Sequence, residues 1–342
     1  MFYFMMNKNN SFEEIWNKLK TCKCVAISLH AGPDGDSLGA CTAMKYLLER
    51  DLKIEVTLVS YDPIEKNLAK FSFSKEVEFG KDVTELNFGD FDAFIALDCS
   101  APYMLGKLKK GFELPKDLFV INLDHHITNM HYGNLNYVDV DAPSACSVLV
   151  DFFRAMNVKF DYEICVRLLV GLCTDTGFFS YDNSVLRALR EAVFLIEKGN
   201  VDYYNEILLP IRMSTSLSTK KLHSLILRNL VVNDSLHCAY SLVSLADVNE
   251  LGINYAEVRG GIFAIQDIEG VDFTFTLTEM PDFIKGSFRS ARNVDVSLFA
   301  IELGGGGHKP AAAFHLPKMS LKEAEKRVLE AIKKVGMHPI KA

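Results

Sequence analysis

Residues 24–40 read CVAISLHAGPDGDSLGA: an apolar run, then a loop of glycine, proline and acids, then the start of a helical pattern that continues from Leu38 to Arg50. An uninterrupted apolar run of strand length is how a strand buried on both faces reads. Comparable runs end at Val59 (IEVTLV), Leu97 (FDAFIAL) and Leu123 (LFVINL), and helical patterns alternate with the early ones. This alternation predicts an α/β domain built on a mainly parallel sheet flanked by helices. From Ser144 to Gly199 the pattern turns helical. One stripe is Val148, Leu149, Phe152 and Phe153, and a second is Ile164, Leu168, Leu169 and Leu172. Helices with such stripes are expected to cover the sheet and close the domain.

At 342 residues and 49% hydrophobic, the chain is long enough for two cores. The first domain is expected over residues 1–204. A connector follows over 205–220, where Pro210 and the polar stretch STSLSTKK interrupt the pattern. Residues 221–342 hold the runs LHSLILRNLVV, HCAYSLVSL, GGIFAIQDI and DFTFTLTEM, a glycine block and a final helix from Leu321 to Val335. They predict a smaller α+β domain.

With 24% charged residues and a net charge of -7, the chain has no global positive field to hold long nucleic acid. A small anion gripped locally fits better. The opening MFYFMM is shorter than a secretory apolar segment and lacks a basic leader, and no stretch approaches a membrane span, so a cytoplasmic protein with no membrane partner is expected. The eight cysteines lie mostly inside apolar runs without paired CxxC spacing, as reduced core thiols do.

The chemistry is expected where strands end. His30, Asp34 and Asp36 follow the first strand, in a position where α/β sheets gather ligands, although Asp36 or Ser37 would also serve as a helix cap. Asp98 ends the run FIAL. Asp124, His125 and His126 crowd the exit of LFVINL, where a bland turn is a poor explanation for three ionisable groups. Asp175 closes an apolar helix, whose partial negative end calls for a compensating cation. Together Asp34, Asp36, Asp98 and Asp175 with His30 and His125 offer four carboxylates and two imidazoles, enough to neutralise two divalent cations. Such a mixed shell suits Mn²⁺, with Mg²⁺ as the alternative. Two cations sharing Asp98 would activate a water and polarise a phosphoryl oxygen, which is phosphoester hydrolysis. Neighbouring side chains on an extended segment point to opposite sides, so His125 is expected to ligate while His126 turns to substrate as phosphate donor or general acid, with Asp124 orienting an imidazole or a loop.

The set HxxxDxD, strand-end Asp, DHH and DTG resembles the DHH phosphoesterases, over most of the chain. The resemblance implies one metal on His30, Asp34 and Asp98, and another on Asp36, Asp98, His125 and Asp175, with His126 on phosphate. The stretch FRSARNVDVSLFAIELGGGGHKPAAAF is similar to the domain associated with that family, which implies a substrate-binding half with the active site in the cleft between the domains. Arg289, Ser290, Gly305, Gly306, Gly307 and His308 are its implied substrate contacts. Glycines let backbone amides approach a phosphate, and Arg289 can hold it bidentately. One departure is Ala313, where the pattern leads one to expect a glycine before Phe314.

Within the family, two domains without further modules are most similar to nanoRNases that are also pAp phosphatases. That implies hydrolysis of short oligoribonucleotides to mononucleotides and of 3′-phosphoadenosine 5′-phosphate (pAp) to AMP, without long duplex nucleic acid. Linear dinucleotides such as pApA, inorganic pyrophosphate or polyphosphate, and single-stranded DNA are the alternatives, and homodimer formation is left open. Phe288, Phe314 and Arg292 are candidates for stacking a base.

Overall fold

In the computed structural model, the structure describes residues 9–336 apart from 107, 109–111, 181–184, 214–215, 254–257, 259 and 291–293, and it leaves the His308 side chain undescribed. The chain divides into two compact units, residues 1–214 and 215–342.

The first unit opens with α1 (Phe12–Leu19), started by a Ser11–Glu14 capping box. Its sheet holds β1 (Cys24–Ser28), β2 (Glu55–Ser60), β3 (Glu78–Phe79), β4 (Ala93–Leu97), β5 (Val120–Asp124) and β6 (Leu135–Val138). Their order is β3-β2-β1-β4-β5-β6, and every pair is parallel. The four apolar runs read from the sequence are the four central strands. The two edge strands were not foreseen, because β3 is two residues long and β6 is only partly buried. Period-two alternation splits each central strand between two cores: Val25, Ile27 and Ile95 pack on one face, Ala26, Phe94 and Ala96 on the other.

The helices α2 (Gly35–Leu47), α3 (Ala145–Ala155), α4 (Tyr162–Asp175) and α5 (Val185–Gly199) supply the larger core. Two glycines let α2 and α4 touch. A Cβ at Gly39 would meet the Arg167 carbonyl at 2.5 Å, and one at Gly171 would meet Asp36 Oδ1 at 2.6 Å. This contact sets the N-terminus of α2 beside the C-terminus of α4. Residues Tyr203–Leu208 form a π-helical turn leading into the short α6 (Leu209–Ile211), with Ile207 buried in the first core.

The second unit begins with α7 (Leu217–Arg228), capped by Ser216. Its sheet holds β7 (Val231–Asn233), β8 (Cys238–Val243), β9 (Phe273–Glu279), β10 (Phe283–Ser290), β11 (Gly306–His308) and β12 (Ala311–Pro317), in the order β11-β12-β10-β9-β8-β7. Among the described residues, β8 and β9 pair in parallel and the other neighbouring strands pair antiparallel. The helices α8 (Leu245–Leu251), α9 (Ser297–Glu302) and α10 (Leu321–Val335) also belong to it. Phe273, Phe275 and Leu277 enter one core with Phe288, Phe299 and Phe314, while Thr274, Thr276 and Thr278 take the opposite face. Two apolar stretches take other forms than strand. LHSLILR is helical, with Leu222, Leu225 and Ile226 buried at helical spacing, and GIFA is a 3₁₀ turn. Among the described residues, no helix is long and apolar enough to cross a membrane, and all eight cysteines are free.

Candidate functional site

Strand order in the first sheet reverses direction between β1 and β4, and such a switch point opens a crevice at the strands' carboxyl ends. The segments that leave β1, β4 and β5 meet there. Asp34 is the N-cap of α2, accepting from the Asp36 and Ser37 amides at 3.0 and 3.1 Å; the capping expected of Asp36 or Ser37 falls to it instead. Asp36 lies fully buried one step into the helix. Its oxygens accept from the Ala145 and Cys146 amides at 2.6 and 3.0 Å, at the N-terminus of α3. That positive helix end is what tolerates a buried carboxylate. Asp98 follows β4 in a left-handed backbone conformation with φ 54°, a strain found at functional positions.

His30 Nε2 lies 3.3 Å from Asp98 Oδ2 and 3.7 Å from Asp34 Oδ1. His125 Nε2 lies 3.6 Å from Asp98 Oδ1 and 3.5 Å from Asp175 Oδ2, at the last residue of α4. Three groups thus bring donor atoms within 4.8 Å of one another: His30, Asp34 and Asp98; Asp36, His125 and Asp175; and Asp98, Asp124, His125 and His126. Asp124, buried at the end of β5, receives the His126 ring at 2.7 Å, the His125 amide at 2.8 Å and Asn129 at 2.5 Å. The opposed orientation expected of His125 and His126 is not observed. β5 ends at Asp124, so strand alternation does not carry on through the two histidines, and their ring centroids stand 4.5 Å apart.

Burial and crowding shape the titration of these groups. Burial, reinforced by the Asp98 charge, pushes Asp36 up to about 7. Burial and the Asp36 charge carry Asp175 well above the usual carboxylate range. Burial would raise Asp98 too, but the hydrogen bonds of His125 and His30 hold it low. Burial would lower the imidazoles, yet Asp34 and Asp98 carry His30 well up, Asp98 and Asp175 push His125 up to about 10, and Asp124 raises His126.

In the second unit, register sets Arg289 of β10 opposite Ala311 of β12, and Ala311 opposite His308 of β11, so the three residues share one face. Arg289 donates to the Phe288 carbonyl at 2.8 Å. Ser290 Oγ accepts from the Val294 amide at 2.9 Å. The glycines differ in purpose. A Cβ at Gly305 would meet the Ala313 carbonyl at 2.2 Å and one at Gly307 the Ala311 carbonyl at 2.6 Å, whereas Gly306 has nothing within 4 Å. Ala313, the departure from the expected pattern, is exposed and disturbs no packing. Phe288 and Phe314 are buried in the core and present no face to a base; Arg292 lies outside the described residues.

Residues 24–174 match the DHH family, N-terminal domain, and residues 237–335 match the DHHA1 domain. The chain is a DHH-family phosphoesterase. This DHH phosphoesterase is 29% identical over 312 residues to a bifunctional oligoribonuclease and PAP phosphatase of Thermus thermophilus, covering 90% of this chain and 89% of the relative. It is 23% identical over 203 residues to a Bacillus subtilis protein of the same description, covering 58% of this chain and 63% of that one. A crystal structure of an exopolyphosphatase-related protein from Bacteroides fragilis superposes with a TM-score of 0.86 at 20% identity, covering 94% and 95% of the two chains, which shows a shared fold.

The donor set of this DHH phosphoesterase suits divalent cations. The Nδ1 atoms of His30 and His125 lie 3.0 and 3.2 Å from the Ala31 and Ala142 carbonyls, which can only accept. Each Nδ1 therefore carries a proton, and each Nε2 is turned toward carboxylate oxygens. Two acceptors facing each other need either an extra proton or a cation between them.

Sequence reasoning missed what holds these side chains in place. Residues 139–146 supply the Ala142 carbonyl to His125 and the Ala145 and Cys146 amides to Asp36. Arg187 of α5 ties that segment down, reaching Asp139 at 2.8 Å, Asp151 at 2.9 Å and Glu191 at 3.0 Å. Glu191 is a local partner one helical turn away, but nothing local marks Arg187 as the support of that segment, because Asp139 and Asp151 come from distant parts of the chain.

Proposed function

We propose that this DHH phosphoesterase hydrolyses short oligoribonucleotides to mononucleotides and pAp to AMP. The observation that carries the reading is the convergence of His30, Asp34, Asp36, Asp98, His125 and Asp175 on one crevice, with Asp98 between the two imidazoles. The substrate class is supported by similarity along nearly the whole length of a relative described as an oligoribonuclease and PAP phosphatase.

In this reading His30, Asp34 and Asp98 hold one cation, and Asp36, Asp98, His125 and Asp175 hold a second. Mn²⁺ is preferred for the mixed nitrogen and oxygen shell, and Mg²⁺ is the alternative. When bound, such a pair supplies charge neutralisation for the phosphoryl group and a water of lowered pKa. The protein's own groups do the rest. Asp124 fixes His126 through Nδ1 and favours its protonated form, so that His126 donates to a phosphate oxygen or the leaving group. Arg289, Ser290, the Gly305–Gly307 backbone and His308 bind phosphate, and Arg289 neutralises its charge.

The deciding experiment compares a labelled RNA dinucleotide, pAp, long single-stranded DNA and pyrophosphate at equal concentration with Mn²⁺. Fastest consumption of the dinucleotide and pAp is expected. Faster turnover of pyrophosphate or long DNA overturns the substrate assignment while leaving the family intact.

A further inference from the structure

We propose that Phe263, together with Arg289, is the surface on which a nucleobase of the substrate stacks. The proposal rests on the nucleotide reading above and names the group that recognises the base.

Phe263 lies in the 3₁₀ turn Gly261–Ala264, and the residue is 52% exposed although its neighbours Gly261 and Ile262 are buried. The turn is pinned: a Cβ at Gly261 would meet Ile226 Cδ1 at 2.8 Å and Leu222 Cδ2 at 3.2 Å, so the backbone sits directly on α7. A rigid turn holding a large apolar ring in water sacrifices the burial that a phenylalanine ordinarily gains. A ligand that covers the ring recovers it.

The surroundings specify which ligand. The Arg289 guanidinium lies 5.3 Å from the Phe263 ring centroid, and its hydrogen bond to the Phe288 carbonyl keeps it there. A planar cation over one face of an aromatic ring leaves the ring's other face and its own outer face as flat surfaces of the kind on which bases stack. Arg289 also stands in register with Ala311 and His308, alongside Gly306, whose outer side is open. An apolar ring and an anion-binding strand joined by one arginine match a molecule with a flat base at one end and a phosphate at the other. Inorganic pyrophosphate, which has no base, gains nothing from the ring.

The test uses the full-length protein with Mn²⁺ and two substrates, pApA and its analogue lacking both bases. The readout is the ratio of their kcat/KM values, because a change in folding or metal loading affects both substrates alike. Phe263→Ala is expected to lower this preference by about 5- to 150-fold, chiefly through the KM for pApA, as loss of one stacked base requires. Phe263→Trp should restore it, and Phe263→Leu, which keeps the apolar bulk without the flat ring, should fall between. An unchanged ratio in Phe263→Ala overturns the stacking proposal alone. A wild-type enzyme that prefers pyrophosphate to pApA overturns the nucleotide reading and the stacking proposal together.

Discussion

In the parallel sheet the ionisable side chains stand at strand ends: His30 beyond β1, Asp98 beyond β4, Asp124 to His126 at the end of β5. In the mixed sheet the polar side chains run along a face, as Thr274, Thr276 and Thr278 on β9 and Lys285, Ser287 and Arg289 on β10. Strand ends converge at one point whatever the parity of each residue, so they can focus several charges within a few ångström. A face spreads its groups at the spacing of the strands, about 4.8 Å, which suits contact along an extended ligand. The first arrangement concentrates charge, and the second distributes polar groups along a surface.

The largest expected effect breaks the focus itself. Asp98 stands between His30 and His125, and its left-handed backbone is one that asparagine tolerates better than alanine. Asp98→Asn should therefore keep the fold while losing several kcal/mol of transition-state stabilisation, about a thousandfold in kcat/KM. Circular dichroism checks the fold and steady-state kinetics the loss. Near-wild-type turnover would remove Asp98 from the mechanism.

A second effect follows from the crowding. Without a cation, Asp36 titrates at about 7 and His125 at about 10, so near neutrality these groups retain protons that a cation must displace. Mn²⁺ affinity should then rise with pH between about 6 and 9, by up to roughly a decade per unit for each proton released. Calorimetric titrations in buffers of different ionisation enthalpy count those protons. A flat or falling affinity would mean that the cation binds elsewhere.

The contrast between the sheets also explains what the sequence made legible. Strand-end carboxylates and imidazoles follow their apolar runs directly, so HAGPDGD, ALD and LDHH announced themselves, and GLCTD did so at the end of a helix. The orientation of His126 was misread, because alternation holds only while a strand lasts and β5 ends at Asp124. In the mixed sheet the alternation of FTFTLT shows two faces but not which neighbours cover them. Phe288 and Phe314 sit next to Arg289 and the glycines in sequence or register and yet point into the core. Phe263 is remote in sequence and comes beside Arg289 only through the packing of its turn.

The support beneath the proposed metal ligands makes a third test. Asp139 and Asp151 each pair with Arg187, but only Asp139 belongs to the segment that carries the Ala142 carbonyl and leads into α3 at Asp36. Asp139→Asn should weaken Mn²⁺ binding by about 10- to 100-fold, the usual cost of losing a partner that orients a ligand. Asp151→Asn should do far less. Electron paramagnetic resonance of free Mn²⁺ separates the two, and equal losses would reduce Arg187 to a general stabiliser of the fold.

The smallest effect lies in the mixed sheet, between adjacent glycines. A methyl group at Gly305 would press on the Ala313 carbonyl at 2.2 Å and on Phe314 Cβ at 2.5 Å, both on β12, so the backbone must shift. Gly305→Ala should cost about 1–3 kcal/mol of stability, as overpacking does. Gly306 has a negative φ or an extended backbone and nothing within 4 Å, so Gly306→Ala should melt within about 0.5 kcal/mol of wild type. If the space outside Gly306 receives phosphate, that same methyl group should raise the KM for pAp without altering the melt. Stability and affinity would then be assigned to neighbouring residues of one glycine run, with Gly305 kept for packing and Gly306 for the ligand.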